Sequence, residues 1–413
     1  MPSQSLEQQP PRVFTQARLA LILLLSINLL NYVDRQILAA VEKPIGDEFS
    51  VSSYATGWLS SAFLLAYLVF SPMFGVLADR MRRWVIIGVG VIFWSLASGG
   101  TGAAHTFTML IIMRLLIGVG EAAYGPVAPT LIADMYPIAS RGKMLAWFYA
   151  AIPVGSALGY IIGGAAHSHW HAAFYATLPP GILLGIFCLF MRDPPREGVA
   201  ARRRPTFADY LHLMKIKSYT INTAAMTAMT FALGSIAYFM LRYLEEVRHL
   251  DPKSASPKFG AIAALAGLLG TIAGGIVGDR LRSRIPGSYI FDSALGMLLG
   301  CPLLLLMLVT PFPACWAVIF AAVFCLFLNT GPSNAIIANV VPDNVRATAF
   351  ALNILIIHLF GDALSPPLIG WIAHRHGMST AFAIDALPIL AGAILWIVGM
   401  PYLLSETVAA MKS

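Results

Sequence analysis

Charge is what this chain has least of. Asp, Glu, Lys and Arg make up 11% of its 413 residues against 58% hydrophobic residues, and the mean hydropathy is +0.74. Soluble domains carry roughly 25% charged residues, so there is too little polar surface here to coat a soluble globule, and the chain reads as a polytopic membrane protein. Cysteine is scarce as well. Cys188, Cys301, Cys315 and Cys325 lie in apolar runs without paired spacing, which excludes a disulfide framework and fits small buried hydrophobes. No GxSxG, HExxH or P-loop pattern is present, so nothing points to an enzyme built on those chemistries. The histidines of "HSHWH" at 167–171 and "HRH" at 374–376 fall in short loops and match no defined metal spacing. Neither metal nor cofactor is expected.

Long intervals lack charge altogether: 49–78, 84–113, 144–191, 218–241, 259–278 and 293–342. At roughly 20 residues per membrane-spanning helix, the chain holds twelve spans, near 19–41, 54–77, 84–104, 109–133, 143–164, 171–191, 218–243, 259–278, 289–309, 314–337, 346–371 and 380–404. Lys and Arg crowd the segments on one side (Arg12, Arg18, Arg80, Arg82, Arg83, Arg141, Lys143, the basic run between 192 and 217, Arg280, Arg282, Arg284, Arg346, Lys412). Only Lys43, Arg248, Lys253, Lys258 and Arg375 fall on the other. By the positive-inside rule both termini are cytoplasmic, in a cell (inner) membrane. The formal net charge of +7 is then a consequence of topology and not of nucleic-acid binding. The first apolar run is too long for a removable leader and lacks a small-residue cleavage site.

The chain repeats itself. "GVLADRMRR" at 75–83 returns as "GIVGDRLRSR" at 275–284, and "ADMYPIASR" at 133–141 returns as "ANVVPDNVR" at 338–346. The repeat divides the chain into an N-terminal tail (1–18), a six-helix half (19–191), a basic Pro-containing linker (192–217), a second six-helix half (218–404) and a C-terminal tail (405–413). Parallel six-helix halves around a midplane cavity describe a secondary transporter that works by alternating access.

Gly75, Leu77, Asp79, Arg80 and Arg83 resemble the loop signature of the major facilitator superfamily, with Arg82 in place of its usual second Gly and Trp84 in place of its last basic residue. That resemblance implies an all-α membrane protein of twelve transmembrane helices in two pseudo-symmetric bundles. It also implies a gating charge network of Asp79, Arg80 and Arg83 with Asp134, echoed by Asp279 and Arg280. "NYVDR" in the first span, "RLLIGVGEAAYGPVAPTLIADMYP" at 114–137, "AIPVGSALGYIIGG" at 151–164 and "HLFGDALSPPLIG" at 358–370 together look like a bacterial-type member of the spinster branch. Members of that branch move sphingosine-1-phosphate or lysophospholipids. The resemblance implies as partners a lipid or amphipathic small molecule, protons and membrane lipids, handled by a monomer.

Asp34 and Arg35 interrupt the first span, and Arg114 and Glu121 the fourth. A charge at bilayer depth costs roughly 2.5–3.5 kcal/mol on insertion scales, so such residues mark function more often than architecture. Arg114 and Glu121 are two helical turns apart on one face, with Gly118 and Gly125 on the same stripe leaving room beside them. Because the first and fourth helices line the cavity in the superfamily, all four charged side chains are expected to converge there. Arg35 and Arg114 would hold an anionic headgroup through the guanidinium fork, with Asn31, Tyr32 and Tyr124 beside them, and Glu121 or Asp34 would take up the coupling proton. The alternative is an ion-pair network that only holds helices together. In the second half Asn329, Ser333, Asn334 and His358, one turn from Asp362, would bind the headgroup, close a gate, or simply pack. The expected activity is proton-coupled transport of lysophospholipid or sphingosine-phosphate-like anions. The alternative is a proton-driven exporter of small amphipathic drugs or organic anions. The glycines at 155, 159 and 163 are expected to let helices approach closely.

Overall fold

In lipid a spanning backbone must satisfy its own polar groups, and closed helices do so within one segment. The computed structural model describes residues 11–194, 211, 213–282, 284–285, 287–342 and 345–412, and among these there is no strand. The basic linker and the first ten residues lie mostly outside that range. The first half runs α1 (Pro11–Ala40), α2 (Glu42–Glu48), α3 (Ser53–Arg80), α4 (Arg83–Gly102), α5 (Phe107–Ala122), α6 (Ala128–Met135), α7 (Ile138–Ala165) and α8 (Trp170–Phe190). The second runs α9 (Lys217–Glu246), α10 (Pro252–Leu281), α11 (Ser288–Val309), α12 (Ala314–Phe327), α13 (Thr330–Val340), α14 (Arg346–Ile357), a π turn (His358–Asp362), α15 (Ser365–His376) and α16 (Met378–Lys412).

Eleven described stretches are long and apolar enough to cross a membrane. The remaining crossing is the fourth, made in two pieces by α5 and α6 because residues 123–127 turn after Glu121 and Pro129 opens α6. With it the expected twelve-span, all-helical architecture holds. Two boundaries differ from expectation. Asp251 accepts a hydrogen bond from the Ser254 amide at 3.1 Å and Pro252 follows it, so α10 starts seven residues before the expected 259. The last helix runs to Lys412 through the expected tail.

Helices pack through glycine. A Cβ on Gly155 or Gly159 would stand 2.6 Å from the Leu29 or Val33 carbonyl, and one on Gly163 would stand 2.5 Å from Ala40 Cβ. The stripe therefore seats α7 on α1, as its spacing predicts. Opposite the face where α1 begins and α16 ends (the terminal face), the two halves meet. A Cβ on Gly57 would lie 2.5 Å from the Pro366 carbonyl oxygen. Ser53 Oγ donates to the Gly370 carbonyl at 2.7 Å, Tyr238 OH to Thr56 O at 2.6 Å and Tyr160 OH to Ala237 O at 2.8 Å.

Ion pairs continue that far-face contact. Arg242 Nη1 is 2.8 Å from Glu42 Oε1, and Glu245 lies 3.4 Å from both Lys43 and His167. Glu42 is buried and also accepts a short bond from the Thr56 hydroxyl. Burial pushes its carboxyl above the ordinary glutamate range, with Arg242 and Thr56 pulling the other way.

Candidate functional site

Consecutive residues on a helix point about 100° apart, because a turn holds 3.6 residues. Asp34 and Arg35 therefore cannot both face the same neighbour. Arg35 turns to the fourth crossing, where Nε and Nη2 donate to Glu121 Oε2 at 2.9 and 2.7 Å. The Glu121 side chain is fully buried while Arg35 keeps 24% exposure, and Glu121 Oε1 has no partner. Asp34 turns the other way, where Oδ1 accepts from Ser98 Oγ of α4 at 3.2 Å and Ser98 in turn meets Thr177 of α8 at 3.3 Å. The expected cluster is thus selective in its direct bonds: Arg35 meets Glu121, and Asp34 packs behind them, within electrostatic reach of Glu121 and Arg114.

Arg114 makes its direct bond elsewhere while staying within electrostatic reach of Glu121, Asp34 and Arg35. Its Nε donates to the Leu59 carbonyl at 3.3 Å, and its guanidinium lies 5.0 Å from the Phe63 ring centroid, which Arg35 approaches to 4.7 Å. One aromatic ring therefore serves both cations. Tyr32 and Tyr67 complete the aromatic surround of Arg35 at 5.1 and 5.4 Å. Gly118 and Gly125 do not open space beside the charges. A Cβ at either would stand 2.2 Å from the Phe63 carbonyl oxygen or the Tyr67 hydroxyl, so these glycines admit α3, which carries both aromatics.

A cavity of about 130 Å³ opens on the terminal side of the Arg35–Glu121 pair. Its walls come from the first half alone: Asn28, Asn31, Tyr32 and Arg35 of α1, Tyr67 of α3, Glu121, Tyr124 and Pro129 of the fourth crossing, and Phe148, Tyr149 and Ile152 of α7. Asn31, Tyr32 and Tyr124 stand where the sequence places them. Tyr124 OH donates to the Leu24 carbonyl at 2.6 Å and Asn28 Nδ2 to the Phe148 carbonyl at 2.8 Å, which fixes two wall positions. The cavity is smaller than the roughly 300–1,000 Å³ of pockets for drug-sized ligands, so it admits a polar group and leaves an attached chain outside.

The second-half candidates do not join this wall. Asn329 Nδ2 donates to the Leu326 carbonyl at 2.5 Å, and the Ser333 carbonyl accepts from Asn222 Nδ2 at 3.0 Å while Asn222 Oδ1 accepts from Trp396 Nε1 at 2.9 Å. Both residues are buried in helix packing. Asn334 is exposed and bonds the Thr330 carbonyl at 2.8 Å. His358 Nδ1 lies 3.0 Å from both Asp362 oxygens, within the π turn; such turns occur often at functional sites.

At the terminal face Arg83 pairs with Asp134 at 2.6 Å and reaches Thr130 at 3.3 Å. Sequence reasoning missed Asp193, whose carboxylate accepts from the Arg83 and Trp84 amides at 2.8 and 3.2 Å and so caps α4. Asp79 and Arg80 stand exposed at the end of α3, and Asp279 and Arg280 likewise on α10, where Asp279 accepts from Tyr289 OH at 2.7 Å.

Two helical halves, the first holding a guanidinium–carboxylate pair beside a cavity at membrane depth, suit a carrier. A sequence model of the Major Facilitator Superfamily matches residues 24–360. Protein spinster homolog 1 of Xenopus laevis is 35% identical over 388 residues, covering 88% of this chain and 74% of that protein. The chain belongs to the spinster family of the Major Facilitator Superfamily. Protein spinster homolog 1 of Homo sapiens is 36% identical over 390 residues, 87% of this chain and 74% of the relative. Among solved structures, a bacterial homologue to the human lysosomal transporter Spinster shares the fold at a TM-score of 0.82 and 21% identity, over 98% of this chain and 99% of that one. This spinster-family chain is accordingly a multi-pass membrane transporter and not an enzyme.

Proposed function

We propose that this spinster-family protein is a proton-coupled carrier of single-chain amphipathic anions, of the lysophospholipid or sphingosine-phosphate type, working by alternating access with both termini cytoplasmic. The observation that carries the reading is Arg35. Its guanidinium is part-exposed at the floor of a small cavity, ringed by Tyr32, Phe63 and Tyr67 and balanced by one buried carboxylate. A phosphate suits the guanidinium fork. The 130 Å³ cavity takes such a headgroup while the acyl or sphingoid chain lies between the halves. An anion that engages Arg35 competes with Glu121 for the same nitrogens, so Glu121, stripped of its partner in a buried site, takes up a proton. Anion and proton thus share one arginine, which couples their movements. The halves touch through far-face contacts and the cavity lies on the terminal side of the pair, so this is the state that loads from the terminal face.

The test uses purified protein and a thermal-shift comparison. A ligand that binds only the folded state raises its apparent stability, so anionic lysophospholipid and sphingosine-1-phosphate should stabilise the wild type and a cationic amphiphile should not. Arg35→Ala should lose that stabilisation, and Arg35→Lys should lose most of it, because an ammonium cannot reproduce the fork. Equal stabilisation of wild type and Arg35→Ala would remove Arg35 from the site. Stabilisation by cationic amphiphiles alone would replace the anion reading.

A further inference from the structure

The second half holds a carboxyl group that the anion site does not use. Asp385 of α16 is fully buried, its Oδ2 lies 2.5 Å from Ser235 Oγ of α9, and its Oδ1 meets no partner. The elements packed against α16 are α9, α11, α13 and α15. From α9 it is Ser235 that faces the carboxyl. From α11 Cys301 arrives beside it, with Sγ 3.6 Å from the Ala386 carbonyl. α13 contains no titratable residue. The basic residues His374, Arg375 and His376 of α15 stand in its last turn at the far face, and Arg242 of α9 is engaged there by Glu42 and Glu246. Asp292 of α11 lies more than two turns from Cys301, toward the terminal face. Among the described residues no cation pairs with Asp385, and an ionised carboxylate without water or counter-charge is a state that buried groups avoid by holding a proton.

Hydrogen accounting is compatible with that state. A serine hydroxyl has one hydrogen to give, and Ser235 has three acceptors in reach: the Asp385 carboxyl oxygen at 2.5 Å and the Ala232 and Phe231 carbonyls at 3.0 and 3.4 Å. A protonated Asp385 supplies the hydrogen of the short contact itself and leaves the serine hydrogen to the backbone. The two halves also repeat this arrangement with roles exchanged. In the first half the acid is Asp34 on α1, bonded to Ser98 of α4, which meets Thr177 of α8. Ser235 follows Asp34 by 201 positions, Cys301 follows Ser98 by 203, and Asp385 follows Thr177 by 208. Acid and hydroxyl have traded helices, while the three-helix site is kept.

A chain of polar groups comes within one residue of the site. Gly234, next to Ser235, lets the neighbouring helix press close: a Cβ there would stand 2.6 Å from Asp362 Cβ and 2.8 Å from Ser365 Oγ. Ser365 Oγ is buried without a partner, and Asp362 is bonded to His358, whose side chain is 35% exposed. We propose that Asp385 with Ser235 is a resident proton-binding site of the second half, exchanging its proton through Ser365 and the His358–Asp362 pair.

The proposal concerns a protonation state, so it is tested without transport and stands apart from the anion reading. Infrared spectra of the purified full-length protein at neutral pH should contain the carbonyl stretch of a protonated carboxyl that is lost in Asp385→Asn, shifted in Ser235→Ala and present at a displaced position in Asp385→Glu. On transfer to heavy water, the deuterium shift of that band should slow by roughly tenfold or more in His358→Asn, the loss expected when a proton-relaying group is removed. Wild-type and Asp385→Asn spectra that superimpose in the carboxylic-acid region overturn the site. A band whose exchange is unchanged in His358→Asn overturns the route.

Discussion

Cutting Arg35 back to Ala strands Glu121. That carboxylate is fully buried, places both of its hydrogen bonds through Oε2 onto Arg35, and has nothing on Oε1. Removing one partner of a buried pair costs about 3–5 kcal/mol, because the survivor is left as an uncompensated charge or must take up a proton to escape being one. If Glu121 is first made Gln, the same Arg35→Ala change orphans only a neutral amide, at about 1–3 kcal/mol. The two positions should therefore show a coupling energy of roughly 2 kcal/mol in a double-mutant cycle. The assay is the apparent unfolding free energy of wild type, Arg35→Ala, Glu121→Gln and the double variant in one detergent at one pH. The exposed 24% of Arg35 predicts that Glu121→Gln is the milder single change, since the cation keeps some water while the anion has none. Additivity to within about 0.5 kcal/mol, the behaviour of independent sites, would refute the claim that this pair is the electrostatic centre of the first half.

Three further outcomes follow from the packing. Gly57→Ala sets a Cβ 2.5 Å from the Pro366 carbonyl oxygen and should wedge α3 from α15, so spin labels at Asp47 and Lys253 should move apart; an unchanged distance would refute the tight far-face seat. Burial raises the Glu42 carboxyl against Arg242, and Lys43, His167, Glu245 and Glu246 share that contact. A raised acid favours the far-face contact below the ordinary glutamate range and loses that contribution as pH rises through its folded value. The same label distance should accordingly lengthen as pH rises above the ordinary glutamate value of about 4.3, and Glu42→Gln should flatten the Glu42 part of that response. Asp193→Ala removes the cap of two α4 amides and should lower stability by about 1 kcal/mol in thermal unfolding, with Asp193→Asn restoring most of it.

Which parts of this molecule were legible beforehand follows from what each physical signal reports. Intramembrane charge is rare enough that Arg35 and Glu121 announced themselves, and the 155, 159, 163 glycine stripe foretold the α1–α7 seat. The loop repeats foretold two halves. Periodicity also decides how the clustered charges pair: adjacent residues diverge by about 100°, so Asp34 bonds toward α4 and α8 once Arg35 faces Glu121. Phe63 and Tyr67 were invisible because an aromatic in an apolar run carries no signal of the cation above it. Asp193 read as part of a linker, since capping of an α4 that begins 110 residues earlier is a tertiary fact. Asn329 and Ser333 looked like site residues for their polarity alone, and polarity inside a membrane is satisfied equally by a neighbouring helix, as Asn222 and Trp396 show. The far-face lattice was hidden for a similar reason. Lys43 counts as one charge outside the membrane until Glu245 of the other half is brought to it.

The central claim is that one buried carboxylate trades its arginine for an anionic headgroup and a proton. The most direct measurement is lysophospholipid flux into proteoliposomes under an imposed pH gradient, for wild type and Glu121→Gln. Gln mimics the protonated acid, keeps the cavity wall and leaves Arg35 free for the headgroup. The account predicts wild-type flux that follows the gradient, and Glu121→Gln flux that persists by exchange but no longer responds to it. Gradient-driven flux surviving in Glu121→Gln at the wild-type rate would contradict the account.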